Sequence, residues 1–131
     1  MQEVYEFLKE AKAYYLATVE GDQPRVRPFG TYLIFNNKLY IQTSKEKPCS
    51  KQMAANPKIE ICTMKPDGTW IRIAATAVND DSVEVKQAVL DDFPMLKDRY
   101  SAEDEKTQVL YLSEATATFF SFASEPRTVT F

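Results

Sequence analysis

The chain contains no histidine, and that absence removes more chemistry than any other feature of its composition. Histidine-dependent catalytic triads, histidine-ligated zinc and histidine-ligated haem are excluded. Cysteine is scarce as well: Cys49 and Cys62 are the only two, too few for a disulfide framework or a four-cysteine metal site, which points to a reducing compartment. Only three glycines occur, so nothing fibrous or low in complexity is present. An excess of positive charge is also lacking. Sixteen Lys and Arg stand against nineteen Asp and Glu, a formal charge of -3, which argues against nucleic-acid backbone as a partner. The first residues, Met1 to Ala13, interrupt their apolar pattern with Glu3, Glu6, Lys9 and Glu10, as neither a signal peptide nor a membrane span would. The expectation is a cytoplasmic protein with no membrane partner.

What is present is an ordinary globular composition, 44% hydrophobic and 27% charged over 131 residues, the size of a single domain spanning 1-131. Val4, Phe7, Leu8 and Ala11 recur at helical spacing and predict an amphipathic helix from Gln2 to Lys12. Beyond it the period changes to two. Tyr14 to Val19, a long run from Pro24 to Phe35, and Lys38 to Thr43 read as strands, with Asn36-Asn37 as a tight hairpin turn. A short helix follows at Gln52 to Ala55, then strands at Lys58 to Met64 and Gly68 to Val78 around the turn Lys65-Pro66-Asp67-Gly68. Asp81 as an N-cap opens a helix through Leu90, and Thr107 to Leu112, Thr116 to Ala123 and Thr128 to Phe131 return to strand, bent at Ser113-Glu114. About six or seven strands in hairpin order predict a mainly β fold, a closed or nearly closed antiparallel barrel with short peripheral helices.

Two segments carry binding chemistry. In Arg25-Val26-Arg27-Pro28-Phe29-Gly30 alternation puts Arg25, Arg27 and Phe29 on one face, and arginine suits a phosphate or carboxylate. An edge strand with two solvated arginines fits the same hexapeptide. The polar run Thr43-Ser44-Lys45-Glu46-Lys47-Pro48-Cys49-Ser50-Lys51-Gln52 precedes a helix start, where unpaired N–H groups favour anions, though a hydrophilic capped turn fits it too. The Asn36-Asn37 hairpin brings residues near Arg27 opposite Thr43 and Ser44, so both segments can face one anion. Trp70, the sole tryptophan, shares a strand face with Arg72 and suits either stacking or interface packing. Cys62, beside Ile61, is expected to be buried. Glu103-Asp104-Glu105 and Asp80-Asp81 are expected to cap helix starts rather than to transfer protons.

Taken together, Tyr15-Leu16-Ala17-Thr18-Val19, Pro24-Arg25-Val26-Arg27-Pro28-Phe29-Gly30, Leu39-Tyr40-Ile41-Gln42-Thr43-Ser44, Lys51-Gln52-Met53 and Trp70-Ile71-Arg72-Ile73 resemble the pyridoxamine 5'-phosphate oxidase-like family of FMN-binding split β-barrels. The resemblance implies FMN as cofactor and a homodimer in which both chains build each flavin site. It implies that Arg27 holds the FMN phosphate with Thr43, Ser44, Lys45 and Lys51 around it, that Pro28 and Phe29 line the isoalloxazine, that Gln52 contacts phosphate or ribityl, and that Trp70 arrives from the other subunit. Pyridoxamine 5'-phosphate oxidases themselves share a C-terminal substrate-phosphate segment containing Arg and His. Here the ending is Ser124-Glu125-Pro126-Arg127-Thr128-Val129-Thr130-Phe131. The expectation is therefore a flavin-dependent oxidoreductase of unidentified small-molecule substrate, with no catalytic residue assigned. A non-catalytic flavin-binding or stress-related protein, and a deazaflavin-dependent reductase, are the alternatives.

Overall fold

Alternating apolar residues in the second half of the chain set the architecture. In the computed structural model, which describes residues 1–131, Ile59, Ile61 and Thr63 of strand β5 (Lys58–Met64) point inward, as do Ile71, Ile73, Ala75 and Ala77 of β6 (Trp70–Asp80). The other strands are β1 (Tyr14–Glu20), β2 (Gln23–Phe29), β3 (Leu33–Phe35), β4 (Lys38–Ser44), β7 (Thr107–Phe120) and β8 (Arg127–Thr130). All eight belong to one sheet, ordered β2-β1-β5-β6-β7-β4-β3, with β8 paired to β7. Every pairing is antiparallel.

The two ends of that order, β2 and β3, are consecutive in the chain and separated only by Gly30, Thr31 and Tyr32. The sheet must therefore roll up so that its two edges meet across a three-residue gap. Thr31 spans the gap: its carbonyl accepts the Tyr14 hydroxyl of β1 at 2.6 Å, and its hydroxyl accepts the Gln42 N–H of β4 at 3.0 Å. The result is a split barrel.

Helix α1 (Gln2–Ala11) buries Val4, Phe7 and Leu8 in the barrel's core cluster of 19 residues, with Leu16, Ile41, Ile61, Ile73 and Leu110 among them. Each such aliphatic side chain contributes about 1.5–3 kcal/mol through burial. Helix α3 (Val83–Asp92) covers the outer face of β4 and β7 by packing Val85 and Val89 on Tyr40 and Val109. Residues Leu39 to Ser44 of β4 are consequently buried on both faces rather than alternating. Helix α2 (Pro48–Ala55) lies beside β1, and a short 3₁₀ turn, Pro94–Asp98, follows α3.

Several sequence expectations need correction. The run Pro24 to Phe35 is two strands, because the barrel seam falls inside it. The bend at Ser113-Glu114 is a β-bulge within one long strand, with Glu114 at φ 51 and the register against β6 shifting there. Helix α2 begins at Pro48, where proline is tolerated because a first-turn N–H has no helical partner. Ser82, not Asp81, caps α3 by accepting the Val85 N–H. Cys62 is exposed, since alternation in β5 that sends Ile61 inward sends Cys62 outward. Asn36 and Asn37 do adopt positive φ, 50 and 60, as the tight hairpin requires.

Asp104 caps a loop rather than a helix. Its carboxylate accepts N–H groups of Ser101, Lys106 and Thr107 at 2.8–3.0 Å together with the Thr107 hydroxyl, anchoring the start of β7. Desolvation opposes ionisation there, but the Thr107, Ser101 and Lys106 N–H groups outweigh it and hold the carboxyl at about 2 against an ordinary 3.8. A depressed carboxyl stabilises the fold above its unfolded value and loses that contribution as pH falls through the folded one. Acid titration of unfolding should show this loss between about pH 4 and pH 2 in the parent protein, and Asp104→Asn should flatten that segment of the curve.

Candidate functional site

The register Leu16↔Arg27 in the β1–β2 ladder sets the base of Arg27 beside β1. Its guanidinium is half-buried and met by three neutral acceptors. Nη1 donates to the Leu16 carbonyl at 3.1 Å and to Thr18 Oγ1 at 2.7 Å, and Nη2 donates to Gln52 Oε1 at 2.7 Å. Thr18 and Gln52 are themselves buried, and the Thr18 hydroxyl donates to Gln52 Oε1 at 2.6 Å. Arg27 has no carboxylate partner. The nearby carboxylate, Glu20, is instead paired with Arg25 through Nε at 3.1 Å and Nη2 at 2.9 Å, and it accepts from Gln52 Nε2 at 3.3 Å. The Arg25 hydrogen bond, then the Gln52 one, hold the Glu20 carboxyl below its ordinary value.

Two connected clefts open at Arg27. One, of about 360 Å³, runs past Pro28, Phe29 and Thr43 to an apolar wall of Phe93, Met95 and Leu96. The other, of about 480 Å³, includes Glu20, Arg25 and Gln52. Both share Arg27, Lys47 and Cys49. Lys47 stands at the N-cap of α2, whose start has no side-chain cap, so partial positive charge from the helix end adds to that of Lys47 and Arg27. No carboxylate lines the first of these clefts, which runs from Arg27 to the Phe93–Leu96 wall. Its chemistry is that of a receptor for an anionic group attached to an apolar body. A separate cleft of about 320 Å³ lies between α1 and the ends of β5, β7 and β8, but there Glu3 pairs with Arg127 and Glu10 with Lys65, and the further carboxylates Glu6 and Glu125 leave it acidic, unsuited to an anion.

A family profile described as pyridoxamine 5'-phosphate oxidase matches residues 1–113. The chain belongs to that family. A solved structure of a nimc/nima family protein from Clostridium acetobutylicum is 46% identical, with a TM-score of 0.97 over 100% of this chain and 92% of that one. General Stress Protein 26 from Bacillus anthracis shares the fold at 16% identity and a TM-score of 0.79, covering 99% and 97%. A pyridoxamine 5'-phosphate oxidase-related, FMN binding protein from Nostoc punctiforme shares it at 16% identity and 0.63, covering 97% and 90%. No curated protein matches the chain.

Of the residues expected from this oxidase family's pattern, the fold brings Arg27, Pro28, Phe29, Thr43 and Gln52 to the two clefts. Ser44 is buried behind Thr43, where its hydroxyl accepts the Glu46 N–H. Lys45 turns away to Asp81, 3.0 Å distant, and lines a groove on the barrel's outer wall. Lys51 is exposed on α2 and lines neither cleft. Trp70 stands on the outer wall of the barrel, stacked on Phe120 with ring centroids 3.9 Å apart, and also lines neither cleft. Sequence reasoning passed over Lys47, although it lay inside the polar run, and the Phe93–Leu96 wall. The signal for that wall was three large apolar side chains, Phe93, Met95 and Leu96, flanking Pro94.

With inorganic phosphate as probe, Lys47→Ala should weaken binding at the cleft more than Lys51→Ala does, by about threefold to tenfold. Isothermal titration of the two variants checks it. Equal losses would place both lysines at the anion.

Proposed function

We propose that the protein binds FMN at the Arg27 cleft and acts as a flavin-dependent oxidoreductase assembled as a homodimer. The observation that carries this reading is the half-buried Arg27 guanidinium, which meets only neutral acceptors and so keeps its charge for an incoming phosphate. Membership of a family that includes an FMN-binding relative supports flavin as the phosphate's bearer.

When bound, FMN supplies hydride and electron transfer through its own ring system. The chain's residues bind, orient and exclude water. Arg27 and Lys47 would take the phosphate, with Thr43 beside them at the polar end of the site. Pro28 and Phe29 offer an apolar edge to the isoalloxazine, facing Phe93 and Leu96 across the cleft. No carboxylate lines this cleft and the chain has no histidine, so of the side chains that commonly move protons only Lys47 and Cys49 reach it. That lack also favours a second reading, a non-catalytic flavin-binding protein of the stress-related kind. Bleaching of bound flavin by a nicotinamide donor, followed by turnover with an acceptor, is expected of the oxidoreductase. Failure to reduce with either nicotinamide donor would favour the second reading.

The dimer rests on the outer wall of β1, β5, β6 and β7. Tyr15 is 54% exposed and Met64 60%, while Phe122 projects fully into solvent beside the Trp70–Phe120 stack. An exposed aromatic surface of this kind on a small barrel supports an interface between two copies. A second copy seated on this wall would bring Trp70 of one chain to the flavin of the other.

Arg27→Ala should raise the FMN dissociation constant about tenfold to hundredfold, through loss of a charge-assisted hydrogen bond to a partly buried phosphate. Titrating apo-protein with FMN by fluorescence measures it, and an unchanged constant would remove Arg27 from the site. Sedimentation should give a dimer at low micromolar concentration, and Trp70→Glu should yield a monomer with weakened FMN binding. A Trp70→Glu dimer with parent affinity would place the interface elsewhere.

A further inference from the structure

A guanidinium carries five N–H donors in one plane. Three of those of Arg27 are taken: one Nη1–H by the Leu16 carbonyl, the other by Thr18 Oγ1, and one Nη2–H by Gln52 Oε1. Thr18 Oγ1 and Gln52 Oε1 are 2.6 Å apart, so they occupy the edge between the two terminal nitrogens. What remains is Nε–H and the second Nη2–H, a parallel pair on the opposite side of Nη2, and no protein acceptor meets either. Such a pair fits two oxygens of one tetrahedral oxyanion.

Keeping that pair free depends on which end of the Gln52 amide faces the arginine. Its carbonyl does so because its NH2 group is directed at Glu20 Oε2, an atom that can only accept. A reversed amide would set NH2 against guanidinium, donor against donor. We infer that Glu20, acting through Gln52 and with Thr18, is a positioning residue that locks the Arg27 guanidinium with its Nε/Nη2 edge presented to an oxyanion. The assignment deepens the proposed flavin site and rests on Arg27 holding the phosphate. It makes Gln52 a support of the arginine rather than a contact of the ligand.

The sign of one substitution separates this role from simple electrostatics. Glu20 is the carboxylate nearest the site, so removing it and releasing Arg25 should strengthen anion binding on Coulombic grounds alone. The clamp requires the opposite. Glu20→Ala should weaken FMN and inorganic phosphate binding about threefold to tenfold, and Glu20→Gln, which keeps an acceptor for the amide without the charge, should restore most of the affinity. Gln52→Ala and the isosteric Thr18→Val should each weaken binding by a similar factor.

A second readout needs no flavin. In nitrogen-15 spectra of the purified protein, the Arg27 Nη groups should rotate slowly and give separate signals. They should average in Glu20→Ala and Gln52→Ala and stay separate in Glu20→Gln. Parent or tighter binding by Glu20→Ala, or weaker binding with unaltered Arg27 signals, would overturn the positioning role. If instead Arg27→Ala binds FMN like the parent, the flavin reading falls, while the nitrogen-15 signals still decide whether the clamp exists.

Discussion

Strands β2 and β3 are neighbours in sequence and stand at opposite ends of the sheet, so the residues between them must carry the chain across the seam that closes the barrel. Thr31 does this with two side-chain-assisted links, to Tyr14 on β1 and to Gln42 on β4. The rest of the site follows from that crossing. Because β2 ends at the seam, Arg27 sits near β4 as well as β1. The cleft beside it is then lined by residues of β2 and β4, of the start of α2, and of the 3₁₀ turn, which lie far apart along the chain. A sheet left open at the seam would separate Arg27 from Thr43 and dissolve the cleft.

Much of the fold was legible because strand alternation and turn chemistry are local. Ile59, Ile61, Ile71 and Ile73 announce an inward face by period alone, and Asn36-Asn37 announces a turn by its tolerance of positive φ. The seam was not legible. Gly30-Thr31-Tyr32 contains no proline and only one glycine, and nothing in it tells that its two flanks pair with different strands. That is decided by closure of the whole barrel, a non-local constraint. The burial of both faces of β4 was hidden for the same kind of reason, since it depends on α3 arriving from forty residues downstream.

The site divides along similar lines. Arg27 and Phe29 were recoverable because strand alternation sets them on one face, whereas Pro28 and Thr43 came from the family resemblance. The lysines were not, because Lys45 and Lys47 stand in a polar turn that has no period to say which one faces inward. Lys47 reaches the clefts while Lys45 is drawn to Asp81, a partner on the far side of β6 in sequence. Gln52 was read as a ligand contact from the family resemblance. Only the packed structure shows its amide already committed to Arg27, Thr18 and Glu20.

The choice of acceptors around Arg27 has a physical logic. A carboxylate in direct contact would hold the guanidinium firmly, but it would also cancel the charge, and an incoming anion would have to displace it at a cost of several kcal/mol. Neutral acceptors fix the geometry without competing. The backbone carbonyl of Leu16, the Thr18 hydroxyl and the Gln52 amide together satisfy three donors and leave the net charge intact. Glu20 contributes orientation from one amide away, and its own charge is balanced by Arg25. The network thus separates the task of aiming the arginine from the task of neutralising it, and neutralisation is left to the ligand. In a chain whose formal charge is -3, this arrangement places a local positive field at the cleft mouth, set by where charge is left unbalanced rather than by how much charge the protein carries.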